Sequence, residues 1–267
     1  MNKVVVITGA SDGIGAELAR QLALRPATLV LAARNLDKLQ AVAQQCRDRG
    51  AGDVLVQRTD VSVEADCRTL IQAAVQTYGR LDVLINNAGM SAHARLDEVG
   101  DLGWYEDLMR TNHWGAVWCT HAALQHLKAS RGQIVAVSSL AGLVGVPGRT
   151  AYSATKFAMN GFFEALRVEL AEAGVGVTIA YPGVVATEIR RRGYNAAGQP
   201  AGKSGLDERG AMSAEDCARL ILRGMDRRQR DVVMSAKGKL GRWMKLLAPG
   251  WVDRMALAAL NKSGSDR

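Results

Sequence analysis

Tyr152 and Lys156 stand four residues apart and form the pair in this chain best suited to proton transfer. Residues at this spacing lie on one face of a helix, so the ammonium stands beside the phenol. A phenol with its ordinary pKa of about 10 is a poor base at neutral pH, but a neighbouring positive charge favours the phenolate. The pair therefore predicts a general acid or base. In isolation it is also the pattern of a core tyrosine beside a solvated lysine, so its surroundings must decide.

A glycine-rich turn near the start of the chain suits a phosphate group. Residues 9–15 read Gly-Ala-Ser-Asp-Gly-Ile-Gly and join a short apolar run to a helix-length segment. Glycines let the backbone turn tightly and approach a pyrophosphate, and the following helix N-terminus offers unpaired N–H groups and a partial positive charge. Such turns are often only structural, but a position between the first strand and the first helix favours a dinucleotide.

The elements that must position these groups alternate along the chain. Short apolar runs rich in Val and Ile predict about seven strands, at 4–7, 29–33, 54–57, 83–86, 134–138, 177–181 and, more weakly, 231–234. Segments with helical periodicity lie between them, among them 14–24, 36–49, 64–78, 104–129 and 151–172. Continuous apolar strands indicate that the sheet is buried on both faces. The strict alternation of strands and helices indicates parallel strands joined by right-handed crossovers. We therefore predict one α/β domain over residues 1–267, a doubly wound parallel sheet with helices on both faces.

Cysteine usage and hydropathy argue against a disulfide-bonded, metal-binding, secreted or membrane-spanning protein. The four cysteines are Cys46, Cys67, Cys119 and Cys217, and they form no C-x-x-C pair. They indicate buried, reduced thiols in a cytoplasmic protein rather than disulfides or a metal site. We expect neither a signal peptide nor a helix that spans a bilayer.

The positive charge of the chain is concentrated in one part. The net charge is +8, and residues 190–254 hold 15 Lys and Arg against 7 Asp and Glu, whereas the remainder holds 19 of each. Such a segment suits phosphorylated ligands, nucleic acid or anionic lipid, or is simply a solvated surface. Because no nucleic-acid motif or aromatic platform accompanies it, we do not expect a nucleic-acid binder.

Taken in order, the motifs of residues 3–187 resemble those of the short-chain dehydrogenase/reductase superfamily. The glycine turn has that family's Gly-x-x-x-Gly-x-Gly spacing, and Asn-Asn-Ala-Gly closes the fourth strand at residues 86–89. Tyr152 and Lys156 supply Tyr-x-x-x-Lys, and Pro-Gly-x-x-x-Thr follows the sixth strand at residues 182–187. The resemblance implies a Rossmann-type fold and a nicotinamide-dependent oxidoreductase, such as a carbonyl reductase, that forms a homodimer or homotetramer.

The resemblance also implies four catalytic residues: Asn112, Ser139, Tyr152 and Lys156. Tyr152 would exchange a proton with the substrate oxygen, with its pKa lowered by Lys156 and by the oxidised nicotinamide. Ser139 lies at the family's spacing, thirteen residues before Tyr152, and its hydroxyl would donate to the substrate oxygen and stabilise the developing charge. Ser138 is the competing candidate for that role. Asn112 would hold a water that links Lys156 to solvent.

The cofactor implied by the resemblance is NADP(H). NAD users of the family tend to carry an acid at the end of the second strand, whereas here Ala33 stands in that place and Arg34 follows. The guanidinium of Arg34 suits a 2′-phosphate, although it could also be only an exposed strand-end residue, and Asp12 stands where NADP users often carry a second basic residue. The expected cofactor contacts come from the glycine turn, the strand ends and the turn after the sixth strand: Gly9, Ser11, Asp12, Gly13, Ile14, Gly15, Arg34, Asn35, Asp60, Val61, Asn87, Ala88, Gly89, Tyr152, Lys156, Pro182, Gly183, Val185 and Thr187.

The expected substrate is a small molecule with a carbonyl or alcohol group in a mainly apolar pocket. Residues 188–212, polar and rich in glycine, predict a flexible substrate loop at the carboxyl end of the sheet. The other expected lining residues are Ser91, Leu140, Gly142, Leu143, Val144 and Val184. An NADP(H)-sensing regulator without catalysis would share this fold. The complete set of catalytic residue types favours the enzyme, because a protein that only binds the cofactor gains nothing from Tyr152.

The C-terminal segment 237–260 predicts two short amphipathic helices that cover the substrate entrance. Leu240, Trp243, Met244 and Leu247 form an apolar stripe at i, i+3, i+4 and i+7, with lysines and arginines on other faces. A second stripe begins after a break at Pro-Gly. The stripes either contact a membrane peripherally, as basic helices that contain Trp do, or pack on the domain or a second subunit.

Overall fold

One parallel sheet forms the centre of the molecule. The computed structural model describes residues 2–204 and 208–264. The strands are β1 (Lys3–Thr8), β2 (Ala27–Ala33), β3 (Asp53–Arg58), β4 (Val83–Asn86), β5 (Gln133–Val137), β6 (Gly176–Tyr181) and β7 (Asp231–Val233). They lie in the order β3-β2-β1-β4-β5-β6-β7, and every neighbouring pair is parallel. The predicted Rossmann-type, doubly wound sheet is therefore confirmed.

Helices cover both faces of this sheet, which is why its strands are apolar on both sides. The helices of the described residues are α1 (Gly13–Leu22), α2 (Leu36–Asp48), α3 (Glu64–Tyr78), α4 (Gly103–Met109), α5 (Gly115–Ser130), α6 (Thr150–Glu169), α7 (Ile189–Arg192), α8 (Ala214–Asp226), α9 (Ala236–Leu247) and α10 (Pro249–Gly264). Residues of α1, α2 and α8 share one core cluster with the strands. Residues of α3, α5 and α6 share the other.

The long helix predicted over residues 104–129 is interrupted. A π-helical turn, Arg110–Trp114, separates α4 from α5, and the N–H of Gly115 donates to the carbonyl of Arg110, five residues earlier. Such wide turns occur mostly within longer helices, frequently at functional sites. The interruption places Asn112, which is fully buried, in the middle of the wide turn.

The segment 188–212 is attached to the domain at several points in its described part. The N–H of Tyr194 donates to the carbonyl of Ser91 at 3.0 Å, and that of His93 to the carbonyl of Tyr194 at 2.9 Å. Met212 pairs with Val185 after the sixth strand. Residues 205–207 of the predicted loop lie outside the described residues, and the flexibility of the loop stays a prediction.

The C-terminal segment forms two helices, α9 and α10. Pro249 begins α10, a position where the missing N–H of proline costs no hydrogen bond. Leu240, Trp243 and Leu247 are 57%, 64% and 79% exposed, and Met244 is half-buried, so most of the stripe of α9 points away from the domain. Within the described ranges, no helix has the length and apolar character needed to cross a membrane.

Candidate active site

A cleft of about 750 Å³ opens at the carboxyl ends of the strands. Strand order reverses between β1 and β4, and such a switch point is where doubly wound sheets bind ligands. Nearly all the residues predicted to hold the cofactor line this cleft: Gly9, Ser11, Asp12, Gly13, Ile14, Arg34, Asn35, Asp60, Val61, Asn87, Ala88, Gly89, Tyr152, Lys156, Pro182, Gly183, Val185 and Thr187. The structure thus brings together segments far apart in the sequence.

The glycine turn is packed so closely at Gly9 and Gly15 that a side chain would not fit at either position. A Cβ atom on Gly9, whose φ is +67°, would lie 2.8 Å from the Cα of Ala88. On Gly15 it would lie 2.1 Å from the carbonyl oxygen of Gly9. Gly15 itself does not line the cleft and instead lets the first turn of α1 pack against the backbone of Gly9. The backbone of the turn is left open to a ligand, which fits a pyrophosphate at a helix N-terminus.

The ends of β1 and β4 are joined by side-chain hydrogen bonds. The hydroxyl of Thr8 accepts from the N–H groups of Asn87 and Ala88, both at 3.0 Å. The amide of Asn87 donates to the carbonyl of Thr8 at 3.0 Å. The Asn-Asn-Ala-Gly motif therefore holds the floor of the cleft in place through its polar atoms.

Tyr152 is buried at one end of the cleft, one turn from Lys156 on α6. The Nζ atom of Lys156 donates to the carbonyl of Val137 at 3.0 Å and lies 5.8 Å from the centre of the Tyr152 ring. Burial raises the pKa of Tyr152, but Lys156, Arg149, a hydrogen bond from Ser139 and more distant Arg190 together hold it below its usual value. Burial also lowers the pKa of Lys156.

The two adjacent serines face different partners. Ser139 lies at the carboxyl end of β5 and hydrogen-bonds to Tyr152, while its Oγ atom also accepts from the N–H of Ala141 at 3.2 Å. The hydroxyl of Ser138 donates to Oδ1 of Asn160 at 2.6 Å, in the packing against α6. Of the two candidates, Ser139 is the serine that the structure places beside the phenol.

Asn112 lies behind the cleft rather than on its wall. Its Oδ1 atom accepts from the N–H of Met90 at 2.7 Å, and its amide nitrogen donates to the carbonyl of Met90 and to the hydroxyl of Thr155. A Cβ atom on Gly89 would lie 3.2 Å from Oδ1 of Asn112 and 3.7 Å from Nζ of Lys156. The side chain of Asn112 therefore fixes the strand end beside Lys156.

The opposite end of the cleft is more exposed. Arg34 and Asn35 follow β2 on its rim, and Oδ1 of Asn35 caps α2 by accepting from the N–H of Lys38. Asp60 accepts hydrogen bonds from the N–H and hydroxyl of Ser62, at 3.0 and 2.7 Å. Arg34 was the residue predicted at this end, and Lys38, which was not predicted, also lines the cleft.

Asp12, the acid in the glycine turn, is surrounded by positive charge. Its carboxylate accepts from Arg192 at 2.5 Å and lies 3.9 Å from Nζ of Lys38. Burial raises the pKa of Asp12, but these cations and the hydrogen bond from the N–H of Gly13 bring it below its usual value. Arg192 comes from α7 and so connects the segment 188–212 to the glycine turn.

The wall near Tyr152 differs in part from the expected apolar lining. Ser91, Leu140 and Val184 line the cleft as expected, and so does Arg190 of the expected loop 188–212. Arg149, which was not predicted, lines it as well. The residues that the structure places outside the cleft wall are Gly142, Leu143 and Val144. Leu143 and Val144 instead face α9, through Lys245 and Gly241. No local pattern distinguishes a buried arginine from a solvated one, so the sequence carries no signal for Arg149.

Comparison with known proteins gives a consistent answer. The family model described as short chain dehydrogenase matches residues 3–197. An 11-beta-hydroxysteroid dehydrogenase A of Sesamum indicum is 40% identical over 265 residues, covering 96% of this chain and 76% of the relative. The 11-beta-hydroxysteroid dehydrogenase-like 4A protein of Arabidopsis thaliana is 40% identical over 92% of this chain and 81% of its own length.

Solved structures agree with the sequence relatives. A short-chain dehydrogenase of Sphingobium yanoikuyae in complex with NADPH superposes with a TM-score of 0.78 at 28% identity, covering 93% of this chain and 94% of that one. An alcohol dehydrogenase of the archaeon Thermococcus sibiricus, in complex with 5-hydroxy-NADP, has the same fold, with a TM-score of 0.76 at 24% identity over 88% of this chain and 96% of that one. We conclude that this chain belongs to the short-chain dehydrogenase/reductase family and is an oxidoreductase that acts on CH–OH or C=O groups.

Proposed function

We propose that this protein is an NADP(H)-dependent oxidoreductase in which Tyr152 exchanges a proton with the oxygen of a carbonyl compound or secondary alcohol. The observation that carries the proposal is the environment of the phenol. Tyr152 is buried, hydrogen-bonded to Ser139 and close enough to three cations that its pKa lies below the usual value. A tyrosine in the apolar core would instead have a raised pKa, as Tyr181 does.

Each residue at the Tyr152 end of the cleft has a defined task in the reduction of a carbonyl group. When bound, NADPH supplies the hydride to the carbonyl carbon. Tyr152 donates its proton to the carbonyl oxygen, and the hydroxyl of Ser139 donates a hydrogen bond to the same oxygen as negative charge develops there. Lys156 stabilises the phenolate that remains, and Asn112 holds the backbone beside Lys156 where a water could return the proton. Oxidation of the alcohol uses the same groups in reverse.

The preference for NADP(H) over NAD(H) rests on the exposed end of the cleft. Arg34 and Lys38 both line it, and an extended guanidinium can bind a 2′-phosphate through two hydrogen bonds. Asp12 would repel that phosphate, but its charge is balanced by Arg192 and Lys38. The similar Sphingobium yanoikuyae enzyme carries NADPH, which supports the same choice here.

The proposed substrate is an apolar molecule with one ketone or secondary alcohol group. Leu140, Val146, Val184 and Ile189 supply apolar surface near Tyr152. Relatives that cover most of this chain are named as hydroxysteroid dehydrogenases, and a steroid is one skeleton of this kind.

Consumption of NADPH with a panel of ketones and aldehydes tests the proposal. The panel includes steroid ketones and simple cyclic ketones, with NADH run in parallel. Turnover of at least one ketone, faster with NADPH, is expected. Tight NADPH binding without turnover of any compound would instead identify a cofactor-sensing regulator, the alternative for this fold.

A second proposal concerns the location of the protein. We propose that α9 and α10 touch the surface of an anionic membrane. Most of the apolar stripe of α9 is exposed rather than packed on the domain, while Arg242 and Lys245 attach the helix to Asp231 and to the carbonyl of Leu143. The exposed Trp243 with the exposed Lys239 on the same helix suits the interface of a lipid bilayer.

A further inference from the structure

We propose that Arg149 is a positioning residue for Tyr152: its buried guanidinium holds the phenol ring from one face and stabilises the phenolate. The proposal rests on the proposed function, because it assigns Arg149 a role only if Tyr152 ionises during the reaction. Arg149 lies three residues before Tyr152, immediately before α6, and its side chain faces the cleft.

The contacts of Arg149 fix the guanidinium over the tyrosine. Its Cζ atom lies 4.2 Å from the centre of the Tyr152 ring. Nε donates to the carbonyl of Ala92 at 3.1 Å, and Nη2 donates to the hydroxyl of Ser91 at 2.6 Å. A cation over an aromatic face is attractive, and the two hydrogen bonds set its position. The start of α6, and with it the ring, is thereby tied to the segment that follows β4.

The charge of Arg149 is buried without a carboxylate beside it. The side chain is only 9% exposed, and its hydrogen bonds go to neutral acceptors. Among the residues that the structure describes, Arg149 takes part in no ion pair, whereas Arg190 pairs with Glu208 at 2.7 Å. An arginine keeps its charge in a protein, and a buried charge needs a compensating partner. The phenolate of Tyr152 is the anion that this position can compensate.

The groups that face Tyr152 come from α6 and the residue before it, from the end of β5 and from α7. Lys156 lies one turn along α6, Ser139 follows β5, Arg190 belongs to α7, and Arg149 precedes α6. After Lys156, Arg149 is the strongest of the charges that lower the pKa of Tyr152. Arg190 acts from farther away and is partly neutralised by Glu208. Removal of the charge at position 149 should therefore raise the pKa of Tyr152.

The test follows the ionisation of Tyr152 without any substrate. Tyrosinate absorbance is titrated against pH in the full chain, and the curve of Tyr152→Phe in the same background is subtracted to isolate Tyr152. Arg149→Met should move the midpoint to higher pH, and Arg149→Lys, which keeps the charge, should largely restore it. An unmoved midpoint in Arg149→Met would leave Arg149 a merely structural residue and overturn the proposal.

Kinetics on the best secondary alcohol of the substrate panel give a second readout. Oxidation requires the phenolate, so its rate rises with pH through the pKa of Tyr152. In Arg149→Met the rise of the oxidation rate should occur at higher pH than in the wild type. At pH values below this rise, oxidation by the variant should be slower than by the wild type, on the order of tenfold. Equal losses at every pH would contradict an electrostatic role.

Two outcomes separate this proposal from the proposed function. If Tyr152→Phe keeps its activity, the assignment of Tyr152 fails regardless of Arg149. If Tyr152→Phe is inactive but Arg149→Met has the wild-type midpoint, only the present proposal fails. Should Arg149→Met not fold, Ser91→Ala replaces it, because that change removes one hydrogen bond that holds the guanidinium. The midpoint of Tyr152 in Ser91→Ala must still move to higher pH, by less than is expected for Arg149→Met. An unmoved midpoint in Ser91→Ala also overturns the proposal.

Discussion

The two ends of the cleft both carry cations but place them in different surroundings. At one end Lys156 and Arg149 are buried around Tyr152 and donate to backbone carbonyl groups. At the other end Arg34 and Lys38 stand on an open rim, both exposed. The same residue types therefore meet water at one end and protein at the other.

Burial decides what these charges can do. The attraction between two unit charges is roughly four times stronger at an effective dielectric constant of about 20 than in water, and salt screens exposed pairs. Buried cations can therefore change the proton affinity of a neighbouring phenol. Exposed ones act mainly on a ligand that brings its own charge and completes the hydrogen bonds. We expect the largest effects of substitution at the Tyr152 end.

The largest effect is expected for Tyr152→Phe. Loss of the proton donor should reduce kcat by about 10²–10⁴-fold, with the affinity for NADPH nearly unchanged because the ring remains. Steady-state kinetics and NADPH titration by fluorescence measure both quantities. Tyr105→Phe is the matched control, since that hydroxyl contacts Thr150 at an exposed position. Retention of about a third of the wild-type kcat would exclude Tyr152 as the acid.

Substitution of the two adjacent serines should separate a catalytic hydroxyl from a structural one within the buried end. Ser139→Ala should lower kcat by about 10²–10³-fold, as loss of one donor to a developing oxyanion does. Ser138→Ala should change kcat much less but lower the free energy of unfolding by about 1–3 kcal/mol, because Oδ1 of Asn160 loses its donor. Kinetics and thermal denaturation of both variants separate the roles. The reverse pattern would assign catalysis to Ser138.

At the exposed end, Arg34→Ala should weaken NADPH binding by about 10–150-fold. The estimate is the loss of a charge-assisted contact worth roughly 1.5–3 kcal/mol. NADH lacks the 2′-phosphate, so its affinity should hardly change. Fluorescence titration of both cofactors measures the difference, and Arg58→Ala, an exposed arginine at the end of the neighbouring strand, is the control. Equal losses for the two cofactors would refute the assignment of Arg34.

The smallest effect is expected for substitutions in the apolar stripe of α9, which is more exposed than either end of the cleft. Co-sedimentation with anionic vesicles at low salt should exceed that with neutral vesicles, and it should fall by a few fold in a double variant, Trp243→Ala with Leu247→Ala. Trp114→Ala is the control, a half-exposed Trp on another face. If the protein stays wholly in the supernatant at low salt, the stripe does not contact membrane, and packing against a second subunit is the remaining explanation for its exposure.

Local periodicity in the sequence was enough to predict the sheet and most of its helices. Continuous apolar runs are what a strand covered on both faces requires. The wide turn at Asn112 was not predictable in this way, because its residues keep a helical pattern and only the hydrogen bonding differs. The outward direction of the α9 stripe was also not predictable from the sequence. The side of α9 that packs on the domain places Gly238, and not an apolar side chain, against Leu140.

The motif spacings in the sequence were sufficient to identify the family and to select Tyr152 and Lys156 as the pair for the proposed proton transfer. Those spacings are local, or mark strand ends that a parallel sheet must bring together at one edge. Which charges are buried depends instead on contacts between segments that are far apart in the chain. Arg149 contacts Ser91, 58 residues away in the chain, and Asp12 contacts Arg192, 180 residues away. Burial depends on what packs above a side chain, and in this fold distant segments supply that cover.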